Sequence, residues 1–122
     1  MTAAPVPTPA ADELSDAEYH ALAMAVLSRI ETTLDRWLDE DRVDIDTHRT
    51  GGLLELSLPG GSKIILNLQP PLHELWMAAR SGGYHYKYRD GAWRDSRDGS
   101  EFFATLSRAL TEQCGQALTL AP

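Results

Sequence analysis

The chain has 122 residues, a hydrophobic fraction of 43% and a formal net charge of -7. This length and composition indicate a single globular domain with an ordinary apolar core. The acidic balance argues against nucleic acid as a partner, because phosphate binding requires a basic face. Eleven of the eighteen acidic residues lie between Met1 and Asp46, so the acidity is concentrated in the first part of the chain.

Cys114 is the only cysteine, which excludes an intramolecular disulfide and argues against a secreted, disulfide-stapled fold. No apolar run is long enough to span a bilayer, and the N-terminus lacks the charged and apolar regions of a signal peptide. We therefore expect a cytoplasmic protein without a membrane partner. The sequence also lacks the motifs of nucleophilic, phosphate-loop and zinc-dependent catalysis, so we do not expect an enzyme.

Residues 1–14 are rich in alanine, proline and threonine. Such a segment buries too little apolar surface to offset the entropy of ordering it, so a flexible tail is expected. The folded domain is expected to cover residues 15–122.

A capping-box pattern, Ser15-x-x-Glu18, predicts the start of a helix that continues to about Glu40. The apolar residues in this stretch recur at helical spacing and form one stripe. They are Tyr19, Ala23, Val26, Leu27, Ile30, Leu34, Trp37 and Leu38. A second helix is predicted from near Ser100, with Asp98 as its cap signal and Gly115 just past its end.

Between the two helices, alternating apolar and polar residues predict several antiparallel strands joined by turns rich in glycine and proline. The predicted strands are Val43–His48, Leu54–Leu58, Lys63–Leu68, Glu74–Arg80, Tyr84–Tyr88 and a short strand from Trp93. The turn between the third and fourth strands is placed at Gln69-Pro70-Pro71, and the turn between the fourth and fifth at Gly82-Gly83. The order helix, strands, helix predicts an α+β two-layer sandwich, with two helices packed on one face of an antiparallel β-sheet.

Trp76 is the residue whose face the pattern leaves open. Leu75 and Met77 alternate with Glu74 and Trp76, which puts the tryptophan on the outer face if the first pair faces the core. A tryptophan is itself a good core residue, so alternation alone does not choose between the two faces.

A group of acidic residues is the strongest candidate for a binding site in the sequence. Three of them, Glu31, Asp35 and Asp39, lie on the first predicted helix at a spacing of four residues. The other acids of the group are Glu40, Asp41, Asp44 and Asp46, and His48 shares a strand face with the last two. Carboxylates are hard ligands suited to Fe³⁺, Ca²⁺ or Mn²⁺, and on exposed edges they predict weak, multi-site binding. The same residues could instead steer a basic protein surface, or form a solvated face without a specific role.

The chain resembles the bacterial frataxins, the CyaY family, from about Tyr19 to Ala117. The residues that carry the resemblance are Ile30-Glu31, Leu34-Asp35, Trp37, Asp44-Ile45-Asp46, Ser62-Lys63-Ile64-Ile65, Asn67, Gln69, Pro71-Leu72-His73, Trp76, Gly82-Gly83-Tyr84-His85, Trp93 and Asp98-Gly99. The resemblance implies a frataxin-like domain that binds iron (Fe²⁺ or Fe³⁺) weakly. It further implies an accessory role in iron–sulfur cluster assembly, in which the protein binds the cysteine desulfurase and the scaffold protein as a regulator and as a candidate iron donor.

Carried over residue by residue, the resemblance places Glu31, Asp35, Asp44 and Asp46 at acidic family positions. It places Asn67, Gln69 and Trp76 on an exposed sheet surface that faces the assembly machinery, with Glu31 and Asp35 also contacting the partner. A monomer is expected. Two alternatives remain open: an iron oxidase that stores Fe³⁺, and an acidic protein-interaction module without a physiological metal.

Overall fold

The computed structural model describes residues 14–122, which form two α-helices and one six-stranded antiparallel sheet. The helices are α1 (Asp16–Asp39) and α2 (Phe102–Cys114). The strands are β1 (Asp46–Thr50), β2 (Leu53–Ser57), β3 (Lys63–Gln69), β4 (Glu74–Ala79), β5 (Gly82–Arg89) and β6 (Ala92–Asp95), and a short 3₁₀ helix, Pro70–Leu72, joins β3 to β4. Each strand pairs with the next along the chain, so the sheet order is the sequence order.

The core lies between the helices and one face of the sheet, which we call the inner face. Alternation in β2 and β3 sends Leu54, Leu56, Ile64 and Leu66 to this face, where all four are completely buried. They belong to one apolar cluster with the buried stripes of α1 and α2. The predicted α+β sandwich, with both helices on one face of the sheet, is confirmed.

The N-terminus of α1 is closed by the predicted capping box. The Ser15 hydroxyl accepts a hydrogen bond from the Glu18 amide at 3.0 Å, and the Glu18 carboxylate accepts one from the Ser15 amide at 3.1 Å. At the other end, Trp37 is buried but Leu38 is 47% exposed, so placing Leu38 in the apolar stripe was wrong. Leu38 is turned by about 100° from Trp37 around the helix axis, and Trp37 takes the core position.

The first strand begins at Asp46, three residues later than the predicted start at Val43. Val43 and Ile45 do point into the core, as their alternation indicates. They pair with no strand because β2 ends opposite Asp46, at Ser57. The next residue, Leu58, donates its amide to Ser62 across the β2–β3 turn at 2.8 Å, so that turn ends the ladder.

The predicted turn at Gly82-Gly83 was also wrong, because both glycines belong to β5. Ala79 pairs with Gly82, which leaves Arg80 and Ser81 as the two-residue connection. Gly82 has φ 146°, a conformation that side-chain-bearing residues rarely adopt, so the glycine follows the turn and lets the chain enter the strand.

The second helix begins at Phe102, and its N-cap is Glu101 rather than Asp98. The Glu101 carboxylate accepts hydrogen bonds from the amides of Phe103 and Ala104 at 2.6 and 3.2 Å. Glu101 also forms a β-bridge with Arg94, so the chain stays extended up to this residue and the helix starts after it. Asp98 instead accepts from the Ser100 amide at 2.9 Å, within the preceding turn. Gly115 ends the helix in the left-handed conformation, as predicted.

The predicted tail, residues 1–14, lies outside the described residues except for Leu14, which is buried at 5% exposure. After α2, Leu118 and Leu120 are buried in the main core. Among the described residues, neither helix combines the length and apolar character needed to cross a bilayer.

Buried tyrosines make the stability of the fold sensitive to alkaline pH. Burial raises the pKa of Tyr19 to about 12, from an ordinary value of 10.0, and does the same for Tyr86. The fold therefore favours the neutral phenols, and this contribution is complete below about pH 10 and is lost as the pH rises towards 12. We expect the free energy of unfolding to fall over that range, and Tyr19→Phe to reduce the fall. Urea unfolding of both proteins at several pH values measures the difference, and equal slopes would contradict it.

Candidate functional site

The face of the sheet opposite the helices, which we call the outer face, carries a row of side chains that crosses four strands. The row follows from the register, because Leu53 pairs with Asn67, Asn67 with Trp76 and Trp76 with His85. Neighbouring positions on one face of a sheet lie about 5 Å apart, so these four side chains form a continuous strip, which we call the outer row. Leu53 is 39% exposed and adds apolar surface to the outer row.

Trp76 lies on the outer face, as the alternation with Leu75 and Met77 suggested, and is half-buried. Its ring stacks on that of His85 with 4.0 Å between centroids and 6° between planes. Its indole Nε1 donates to Glu74 Oε1 at 2.8 Å. A half-exposed tryptophan with a polar rim is typical of a residue that contributes strongly to protein–protein binding.

Beside Trp76 the outer face has a shallow depression of about 240 Å³. Apolar side chains supply much of its lining, including Leu53, Ile65 and Ala78, and the amide of Asn67 lies among them. Gln69, the other residue expected at this surface, lies one position further along the outer face of β3, opposite Glu74. The structure thus brings Asn67, Gln69 and Trp76 together on neighbouring strands.

The acidic residues of the predicted group lie on α1, on the connection that follows it and on β1. Six of these residues are exposed, and we call them the acidic edge: Asp35, Asp39, Glu40, Asp41, Asp44 and Asp46. Within residues 14–122, none of these six carboxylates forms an ion pair, so their charges remain available to a cation or to a basic partner. Asp46 and His48 both occupy the outer face of β1, so the acidic edge is continuous with that face.

Glu31 differs from the other acids because it is paired. Its carboxylate accepts from the guanidinium of Arg49, which also reaches the Ser28 hydroxyl at 3.3 Å and the Met24 sulfur at 3.4 Å. Glu31 and Arg49 are both partly buried, and their contact links α1 to β1. The pairing compensates the charge of Glu31, so this residue contributes less to the acidic edge than its spacing suggests.

The described residues contain no group of three or more His, Cys, Asp or Glu side chains placed to hold one metal ion. His48 is exposed and has the Thr50 hydroxyl at 3.5 Å from its Nε2. The donor set is therefore one of separate, exposed carboxylates. Such a surface suits weak and exchangeable cation binding more than a closed cage. Burial raises the pKa of the Cys114 thiol, which keeps it protonated and a poor nucleophile near neutral pH.

Three features of the site were missed by the sequence analysis: His85 as the stacking partner of Trp76, Glu74 as its hydrogen-bond acceptor, and Arg49 as the partner of Glu31. The signal that could have found the first was the hairpin register, because a two-residue loop at Arg80 and Ser81 sets His85 opposite Trp76. Long-range contacts such as the one between Arg49 and Glu31 leave no comparable local pattern.

Comparison with known proteins identifies the family. Residues 12–116 match the family model of the frataxin-like domain. A relative from Polaromonas sp. (strain JS666), named iron-sulfur cluster assembly protein CyaY, is 52% identical over 105 residues, which cover 86% of this chain and 90% of the relative. A protein of the same name from Paraburkholderia phymatum is 50% identical over 109 residues, covering 89% of this chain and all of the relative.

Solved structures agree with this match. Frataxin from Psychromonas ingrahamii superposes with a TM-score of 0.77 at 34% identity, covering 89% of this chain and all of that one. The trimeric yeast frataxin in complex with ferrous iron, at 20% identity and a TM-score of 0.66, covers 93% of this chain and 94% of its own and shows the shared fold alone. The chain therefore belongs to the frataxin family. Within it, the relatives at about half identity are bacterial CyaY proteins, which confirms the resemblance found in the sequence.

Proposed function

We propose that this protein is an accessory protein of iron–sulfur cluster assembly that binds the cysteine desulfurase and its scaffold protein. The observation that carries the proposal is the half-buried Trp76 on the open outer face, beside an apolar depression and continuous with the acidic edge. Membership of the frataxin family, with relatives at 52% and 50% identity named for cluster assembly, supports the choice of partner.

The two surfaces have different roles in this proposal. The outer row offers apolar area that a partner can desolvate, which supplies affinity. The acidic edge, whose six carboxylates form no ion pair among residues 14–122, attracts a basic partner surface and speeds and orients the encounter. The protein acts as a regulator through these contacts and performs no chemistry of its own. A monomeric state and a cytoplasmic location remain predictions.

Iron enters the proposal as a weakly held cargo. Exposed carboxylates such as Asp35, Asp39, Asp44 and Asp46 are hard oxygen donors that suit Fe²⁺ and Fe³⁺, and their separation favours loose, exchangeable binding. Weak binding is consistent with supply of iron to a partner, because a donor must release the ion.

The charge mechanism predicts that Asp35→Asn combined with Asp39→Asn weakens desulfurase binding about fivefold at low salt, since each exposed charge contributes up to about 1 kcal/mol. The loss should shrink as salt rises, because exposed charges are screened. Isothermal titration with the purified desulfurase at several salt concentrations measures both effects. The matched control is Asp90→Asn combined with Glu112→Gln, which removes the same charge from two exposed residues elsewhere. Affinity that is indifferent to salt and equal in both double variants would contradict the proposal.

Titration with Fe²⁺ under anaerobic conditions tests the cargo role. We expect the paramagnetic ion to broaden the backbone amide signals of the acidic edge first, and to do so less in the Asp35→Asn, Asp39→Asn variant. Glu31→Gln should leave the broadening nearly unchanged, because Arg49 already compensates that charge. Uniform broadening, or none, would favour an interaction module without a physiological metal.

A further inference from the structure

Trp76 contacts two side chains on the outer face: its indole N–H donates to Glu74 and its ring stacks on His85. We propose that Glu74 and His85 are positioning residues that fix the Trp76 indole in one orientation and leave a single ring face for an aliphatic side chain of the partner. This inference rests on the proposed function, since it concerns how the same outer face binds the assembly machinery.

Glu74 fixes the edge of the indole that carries its N–H group. The carboxylate is buried, at 8% residue exposure, although it lies on the outer face. Oε1 accepts from Trp76 Nε1 at 2.8 Å, and Oε2 lies 3.7 Å from Lys87 Nζ. Lys87 in turn donates to the carbonyl of Leu72 at 3.2 Å, so the acceptor is itself held from a second side. A hydrogen bond to an ionised carboxylate is stronger than a neutral one and directs the N–H group.

The strand that carries Glu74 is anchored from the core side. The Tyr19 hydroxyl donates to the Glu74 carbonyl at 2.6 Å, which ties this end of β4 to α1. This contact restrains the backbone from which the Glu74 side chain extends. The indole N–H of Trp76 therefore donates to an acceptor whose own position is restrained.

His85 covers one face of the indole. The two rings are nearly parallel, with 6° between planes and 4.0 Å between centroids. Trp76 also has Asn67 as its cross-strand neighbour on the other side, so the uncovered ring face is turned towards β3. A stacked aromatic pair is stabilised beyond the area it buries, which favours one rotamer of the indole.

The uncovered face borders the depression of about 240 Å³ described above. Leu53, Ile65 and Ala78 line it, so the chemistry that fits is aliphatic, with the Asn67 amide available to a backbone group. Orientation matters for affinity because a mobile tryptophan must be ordered when the partner binds. Ordering a side chain on binding has an entropic cost, and a ring that is already fixed avoids that cost.

The test uses the full chain labelled with 5-fluorotryptophan, whose ¹⁹F signals report each indole separately. Trp37 and Trp93 are buried, so their signals serve as internal references for the fold. The variants are Glu74→Leu, which removes the acceptor, Glu74→Gln, which keeps one, and His85→Ala, which removes the stacked ring. Affinity is measured with the purified cysteine desulfurase–scaffold complex of a bacterial cluster-assembly system.

In Glu74→Leu and His85→Ala we expect the Trp76 signal to shift and broaden while the Trp37 and Trp93 signals stay in place. Binding should weaken about fivefold, the equivalent of ordering one side chain. Glu74→Gln should restore the Trp76 signal and bring affinity back to within about twofold of the native chain, because its amide oxygen still accepts from the indole.

An unchanged Trp76 signal in both Glu74→Leu and His85→Ala would overturn the inference, as would a shifted signal with native affinity. Movement of all three tryptophan signals together would also overturn it, since Glu74 would then support the fold in general. Trp76→Ala separates this from failure of the proposed function. If Trp76→Ala weakens binding and the Glu74 variants do not, only the positioning role is lost.

Discussion

Leu34→Ala is expected to lower the free energy of unfolding by about 2–5 kcal/mol, the range for truncating a large aliphatic residue in a core. Leu34 is 1% exposed and belongs to the apolar cluster that α1 shares with the sheet. Removing its three outer carbons would leave a cavity, because the strand residues of this cluster are held by the ladders of the sheet and relax only in part. Urea or guanidinium unfolding, followed by circular dichroism, gives the value.

The matched control for this prediction is Leu38→Ala, one turn further along the same helix. Leu38 is 47% exposed, so the same chemical change there should stay within about 0.5 kcal/mol of the native stability. Equal losses at Leu34 and Leu38 would mean that the helix is rotated relative to the sheet, and would contradict the arrangement of the core.

Trp76→Ala should separate stability from binding. The residue is half-buried and lies on the outer face, so we expect its removal to cost less than about 1.5 kcal/mol of stability, well below the value for a core tryptophan. The remaining cost reflects the lost stacking on His85 and the lost hydrogen bond to Glu74. Binding to the desulfurase–scaffold complex should nevertheless weaken by about 2 kcal/mol or more, the threshold for a residue that dominates an interface.

Thermal unfolding and titration on the same Trp76→Ala protein give both numbers. A collapse in stability would place the side chain in the core after all. Native affinity, in a variant that folds normally, would show that the partner does not use the outer face.

Local patterns predicted the elements of this fold well because each is specified by neighbours in sequence. The capping box at Ser15, the αL residue Gly115 and the alternation in β3 all act within a few residues. The errors occurred where contacts with a segment distant in sequence determine the bounds of an element. The strand predicted from Val43 was too long because β2 ends at Ser57, opposite Asp46, and β1 can pair no further. Glu101 caps the second helix in place of Asp98 because its bridge to Arg94 keeps the chain extended up to Glu101.

The candidate site was predictable to the extent that it depends on family positions and on alternation. The resemblance pointed to Asn67, Gln69 and Trp76, and the register places them side by side. His85 was missed for a physical reason, since a hairpin turn centred on Gly82-Gly83 would have set Arg89 opposite Trp76. The contact between Arg49 and Glu31, eighteen residues apart, depends on how α1 lies over β1, which no local pattern encodes.

The most direct test of the proposed function is to follow the backbone amide signals of the ¹⁵N-labelled chain as unlabelled desulfurase–scaffold complex is added. We predict selective loss of intensity along the outer row, at Leu53, Asn67, Trp76 and His85, and along the acidic edge, while the amides of α2 on the opposite side keep their relative intensity. Loss that is centred on α2, or uniform loss without a selective surface at saturating partner, would contradict a function exerted through the outer face.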